Sequence, residues 1–105
     1  MELQEWQRRV AAFAAEQGIE LEPGTRLLDL TSELGELCKV HLKATAYGHR
    51  PFQADEAWRE EIGDLFFALL LLAESSYIDL ETALHRVLAK YRTRAREKGE
   101  IGSGR

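Results

Sequence analysis

Residues 60–73, EEIGDLFFALLLLA, decide how this chain folds. The nine residues from 65 onward are all apolar, so neither a two-residue alternation nor a single helical stripe describes them. A segment of this kind, preceded by charged residues at helical spacing, reads as a helix that must be covered on every side. It is too short for a bilayer, which takes about 20 apolar residues. The stretch also opens with an acidic pair, Glu61 and Asp64, placed around Gly63. An earlier segment, SELGELCKV at residues 32–40, repeats the arrangement with Glu33, Glu36 and Gly35.

Working outward, apolar residues three and four apart recur throughout the chain, which predicts an all-α fold, a small bundle of about four helices. Leu3, Trp6, Val10, Phe13 and Ala14 form the stripe of a first helix ending near Gly18. Pro23 and Gly24 mark a linker, after which Thr25 is expected to cap a second helix reaching about Ala46. That helix carries Leu27, Leu30, Leu34, Leu37 and Cys38, and the turn YGHRPFQ stops it. A third helix is predicted from near Asp55 to about Ser75. Asp79 then caps a fourth, with Leu80, Ala83, Leu84, Val87, Leu88 and Tyr91 on one stripe. The reading is one domain over residues 1–98 and a flexible tail over 99–105. So few helices cannot easily surround the apolar stretch, so oligomerisation, most simply a two-fold dimer, is expected to complete the bundle.

Composition narrows the classes. The 105 residues are 45% hydrophobic, enough for a small core, and the N-terminal MELQEWQRR lacks the apolar region of a signal peptide. A soluble cytoplasmic protein with no membrane partner is expected. Cys38 is the single cysteine, which excludes an internal disulfide and a cysteine-built zinc site. The net charge of −4 is uneven, for seven Lys or Arg stand against two Glu from Arg86 onward. An acidic body argues against a binder of nucleic acid polymers, and with a basic tail it suits a polyanion held through cations.

On a helix, residues three apart lie about 5–6 Å apart on one side, so each acidic pair points one way. Like charges repel there, and no Lys or Arg lies between the acids of either pair. Divalent cations are the natural compensation: Mg²⁺ accepts carboxylate oxygens and keeps positions for phosphate oxygens. Gly35 and Gly63 each cost helix stability, which is consistent with close approach of a neighbouring helix. No rival chemistry competes. His41, His49 and His85 have no zinc-binding spacing, no serine sits in a nucleophile turn, and no glycine-rich phosphate loop precedes a helix.

ELGE at residues 33–36 and EIGD at 61–64, with 24 residues between them, resemble the acidic motifs of the MazG-like all-α nucleotide pyrophosphohydrolases. The likeness runs over about residues 25–95 and continues through the apolar stretch to KYRTR. It implies Mg²⁺-dependent hydrolysis of a nucleoside triphosphate between the α and β phosphates, giving a monophosphate and pyrophosphate. Mn²⁺ is an alternative ion. On this chain Glu33, Glu36, Glu61 and Asp64 would be the metal ligands and catalytic acids, with Glu33 or Glu36 taking a proton from the attacking water. Lys39 and Lys43 on the second helix and Lys90 and Arg94 on the fourth are candidates to hold the far phosphates. Trp6, Tyr47 and Phe52 are candidates to stack on the base, and the YGHRPFQ loop is the better place for base selection. One departure is the absence of any Asn, which some relatives have near the Lys of the last helix. Phosphoribosyl-ATP pyrophosphohydrolase is the neighbouring enzyme reading, although its motif continues as DLLYH where this chain has DLFFA. A helical interaction module is the alternative outside enzymes. A homodimer or homotetramer is expected, since a chain of 105 residues favours an assembly in which each site borrows from a neighbour.

Overall fold

The computed structural model describes residues 1–98, and the tail expected over 99–105 lies outside them. Those residues form α1 (Leu3–Glu16), α2 (Pro23–Ala44), α3 (Glu56–Ser75) and α4 (Leu80–Lys98), with no strand among them. The all-α expectation holds, each helix ending within about two residues of where the turn signals placed it. The capping of α2 differs. Glu22, not Thr25, stands before the helix and its carboxylate accepts from the backbone N–H groups of Gly24 (3.0 Å) and Thr25 (2.7 Å). Pro23 sits just inside, where its missing N–H costs nothing. At α3 the Asp55 side chain accepts from Trp58 N at 2.9 Å.

The α1 helix ends on Gly18 in the left-handed region (φ 68°), which lets Ile19 N donate back to the Ala14 carbonyl at 2.9 Å. The α3 helix ends in the same way on Tyr77 (φ 59°), whose successor Ile78 donates to Ala73 O at 2.9 Å. Gln7, buried on α1, holds that second turn: its amide donates to Ile78 O (2.6 Å) and its carbonyl accepts from Leu80 N (3.1 Å). Asp79 occupies its expected place before α4 and accepts from the Thr82 hydroxyl at 2.6 Å.

The α2 and α3 helices make the largest interface as an antiparallel hairpin, α1 lies across α3, and α4 meets chiefly α1. The core is therefore centred on α3, where Ala68, Leu70, Leu71 and Ala73 are buried and the Phe67 ring meets Phe13 edge-on at 6.2 Å. Phe66 and Leu69, on another side of the same apolar stretch, remain exposed within one chain. Trp6, Phe13, Leu84 and Leu88 are exposed as well, although each belongs to an apolar stripe. A Cβ on Gly35 or Gly63 would meet nothing within 4 Å, so no helix of the same chain explains these glycines. No helix among the described residues is long and apolar enough to cross a membrane.

Candidate active site

The hairpin brings the two acidic motifs together across its seam. Glu33 from α2 and Glu61 and Asp64 from α3 each offer a carboxylate oxygen, and these oxygens lie within 4.8 Å of one another. Glu33 and Glu61 are half-buried and Asp64 is exposed. Partial burial is the main cause that holds both glutamate carboxyls above the ordinary carboxylate range. Asp64 adds its charge to each; Asp29, Glu61 and Glu36 act further on Glu33, and Glu36 and Glu60 on Glu61.

Glu36 is the fourth acid of the motifs, but its side chain turns toward Lys39, with 3.5 Å between Lys39 Nζ and Glu36 Oε1. It stays close enough for its charge to be felt by Glu33 and Glu61. The three described ion pairs, Arg26–Asp29, Lys39–Glu36 and Arg59–Glu56, leave Glu33, Glu61 and Asp64 out. Glu61 Oε2 is buried and has no hydrogen-bond partner among the described residues. A buried carboxylate oxygen without a donor is costly, and a divalent cation satisfies it along with the neighbouring like charges. The donor set fits such an ion: oxygen ligands only, two from one helix and one from another.

The expected substrate-binding residues fall into three groups. Lys43 lines an open cavity with Val40, Ala44, Arg50, Asp55 and Ala57, at the end of the hairpin seam. Lys39 is engaged with Glu36. Lys90 and Arg94 lie on α4, which meets chiefly α1, their charged groups 5.1 and 5.9 Å from the centre of the Tyr91 ring. Trp6 is on α1, partly exposed, with the Arg9 guanidinium 5.8 Å from its ring centre. Of the loop aromatics, Tyr47 is exposed, while Phe52 stacks on His41 (5.1 Å) and meets Trp58 edge-on (4.8 Å).

Two residues were not anticipated. Asp29 extends the acidic row of α2 one turn back from Glu33, a relation readable as a four-residue spacing. Arg50 comes from the turn after α2 and had no periodic signal to mark it.

The MazG nucleotide pyrophosphohydrolase domain model matches residues 21–98. YpjD, an uncharacterized protein of Bacillus subtilis strain 168, is 41% identical over 80 residues, spanning 72% of this chain and 69% of YpjD. The crystal structure of YpjD from Bacillus subtilis, described there as a candidate pyrophosphatase, superposes with a TM-score of 0.73 at 35% identity, covering 90% of this chain and 96% of that one. The acidic cluster sits on α2 and α3, inside the matched region, and these likenesses support a nucleotide pyrophosphohydrolase. The chain belongs to the MazG nucleotide pyrophosphohydrolase domain family.

Proposed function

We propose that the protein is a divalent-cation-dependent nucleoside triphosphate pyrophosphohydrolase that releases a nucleoside monophosphate and pyrophosphate. The observation that carries this reading is the Glu33, Glu61 and Asp64 cluster, with its oxygens within 4.8 Å and the buried Glu61 Oε2 lacking a donor. These three residues would hold the ion, Mg²⁺ first and Mn²⁺ as an alternative, with Glu36 completing the set if its side chain leaves Lys39. When bound, the ion supplies neutralisation of phosphate charge and a lowered pKa for water.

The remaining chemistry belongs to the chain. Water oxygen attacks the α phosphorus, the bond from that phosphorus to the α–β bridging oxygen breaks, and its electron pair leaves on pyrophosphate. The water proton passes to a carboxylate of the first acidic motif, Glu33 or Glu36. Glu33 faces the seam, whereas Glu36 is engaged with Lys39. Lys39, Lys43, Lys90 and Arg94 are the candidates for the phosphates, and Trp6 and Phe52 for the base.

A homodimer or homotetramer belongs to the same reading. An apolar groove of about 500 Å³, lined by Leu30, Leu34, Ile62, Leu65, Phe66 and Leu69, lies open on the hairpin. Leu84 and Leu88 of α4 are likewise uncovered. A second copy that covers the groove would also give Lys90 and Arg94 a route to a neighbouring site. One domain over residues 1–98, a cytoplasmic setting and a role in nucleotide-pool control or sanitation complete the proposal.

The test is a thermal melt with and without Mg²⁺ and a nonhydrolysable nucleoside triphosphate. The ion should raise Tm, the nucleotide should raise it further, and Glu61→Gln should abolish the response to the ion while remaining folded. A Glu61→Gln variant that responds like the wild type would remove the cluster as the metal site.

A further inference from the structure

Two cations at one end of the hairpin have no acidic partner among the described residues. The cavity they line, about 410 Å³, has Lys43 and Arg50 at its edge and small side chains, Val40, Ala44 and Ala57, around them. Asp55 lines it too, but it forms no described ion pair with either cation, and its Oδ1 accepts from Trp58 N.

Arg50 is placed with care. Thr45 ends α2, and Ala46, Tyr47 and Gly48 follow with φ of 49°, 58° and 91°. This left-handed run turns the chain back so that Arg50 N donates to Thr45 O at 3.0 Å. Arg50 Nε then donates to Ala44 O at 3.3 Å, which fixes the base of the guanidinium at the helix end and leaves its outer nitrogens without a described partner.

The cavity and the acids share one edge of the hairpin seam. Lys43 lies seven residues after Glu36 on α2, and Ala57 lies seven residues before Asp64 on α3. Seven residues are two turns less about 20°, so each stays on the side of its helix that carries the acid, about 10 Å further along. The helices are antiparallel, so both steps lead to the same end, where Lys43 and Ala57 line one cavity. A ligand lying along this edge meets carboxylates first and unpaired cations second, the order a polyphosphate with bound cations requires.

We propose that Lys43 and Arg50 form the subsite for the terminal phosphates, the part that departs as pyrophosphate, and so set a preference for nucleoside triphosphates over diphosphates. This rests on the hydrolase reading above. Arg50 acts as a positioning residue for the β and γ phosphates, with Lys43 as the second charge.

The experiment titrates inorganic pyrophosphate, with Mg²⁺ present, into the full chain, Arg50→Ala, Arg50→Lys and Lys43→Ala, and measures kcat and KM for a nucleoside triphosphate and its diphosphate. Loss of a charge-assisted hydrogen bond predicts pyrophosphate binding weaker by about 10- to 100-fold in Arg50→Ala. KM for the triphosphate should rise similarly, the diphosphate, which keeps the β phosphate and lacks the γ, should change less, and Arg50→Lys should recover part of the loss. Folded variants that bind pyrophosphate as the wild type does, while the wild type turns nucleotides over, overturn the subsite alone. Variants that lose pyrophosphate binding when the wild type hydrolyses no nucleotide uphold the subsite and sink the hydrolase reading.

Discussion

Leu71 tests the packing of the hairpin most sharply. It sits on α3 at 1% exposure, the largest side chain enclosed completely within a single chain. Replacing it by alanine removes the buried branch carbon with both its methyl groups and leaves a hole that neighbouring α-helices close only in part, a cost of about 2–5 kcal/mol. For a domain of this size, each kcal/mol moves Tm by about 4–8 °C, so a loss near 3 kcal/mol lowers the melt by about 10–25 °C. Phe66 is the internal control, since it lies on the same helix at 46% exposure. Packing within one chain alone predicts a clearly smaller loss for Phe66→Ala, independent of protein concentration. A second copy seated on the groove raises that loss to the Leu71 class and makes the transition concentration-dependent. Urea unfolding followed by circular dichroism at two protein concentrations reads both effects. A Leu71→Ala variant within about 1 kcal/mol of the wild type would refute the packing given to α3.

Gln7→Leu keeps the bulk of the side chain and removes both hydrogen bonds to the α3–α4 turn, leaving the Ile78 carbonyl and Leu80 N–H unpartnered. The expected cost is about 1–3 kcal/mol, with faster hydrogen exchange at the Leu80 amide; unchanged exchange there would contradict the role given to Gln7. A pH dependence follows from the acids. The Glu33 and Glu61 carboxyls are raised from an ordinary value of 4.5, so the folded chain binds their protons more tightly than the unfolded chain does. Metal-free stability therefore falls as pH climbs from about 4.5 through the raised values. Glu22 and Asp79, whose carboxyls are lowered by Thr25 and Thr82 respectively, contribute in the opposite sense, and that contribution is lost as pH falls through their depressed values. Comparing Tm across this range for the wild type and a Glu33→Gln, Glu61→Gln double variant isolates the cluster. The wild type alone should lose stability with rising pH relative to the variant, and parallel curves would contradict the raised carboxyls.

Much of this could be read from residue spacing because the signals were local. Turn residues around Gly18, Pro51 and Asp79 delimit helices through backbone geometry that needs no partner, and three-residue spacing alone places each acidic pair on one side. Side-chain direction was not legible in the same way. Glu36 and Glu33 share a side of α2, yet one reaches Lys39 and the other enters the seam, a choice made by neighbours across the hairpin. Glu22 escaped notice as a cap because a longer carboxylate than the usual capping residues folds back on Gly24 and Thr25. Arg50 escaped because three successive left-handed residues set its position, and no period announces such a turn. Trp6 shows the limit of stripes: its spacing is that of a core residue, yet its ring is exposed within one chain.

The measurement that bears most directly on the function is hydrolysis of a panel of canonical and modified nucleoside triphosphates, with and without Mg²⁺, in wild type and Glu61→Gln. Products should be resolved as monophosphate, diphosphate, pyrophosphate and phosphate. Equal amounts of monophosphate and pyrophosphate are expected, formed only with the ion and lost in the variant. Diphosphate with free phosphate, or turnover that survives in Glu61→Gln, would contradict the proposed reaction.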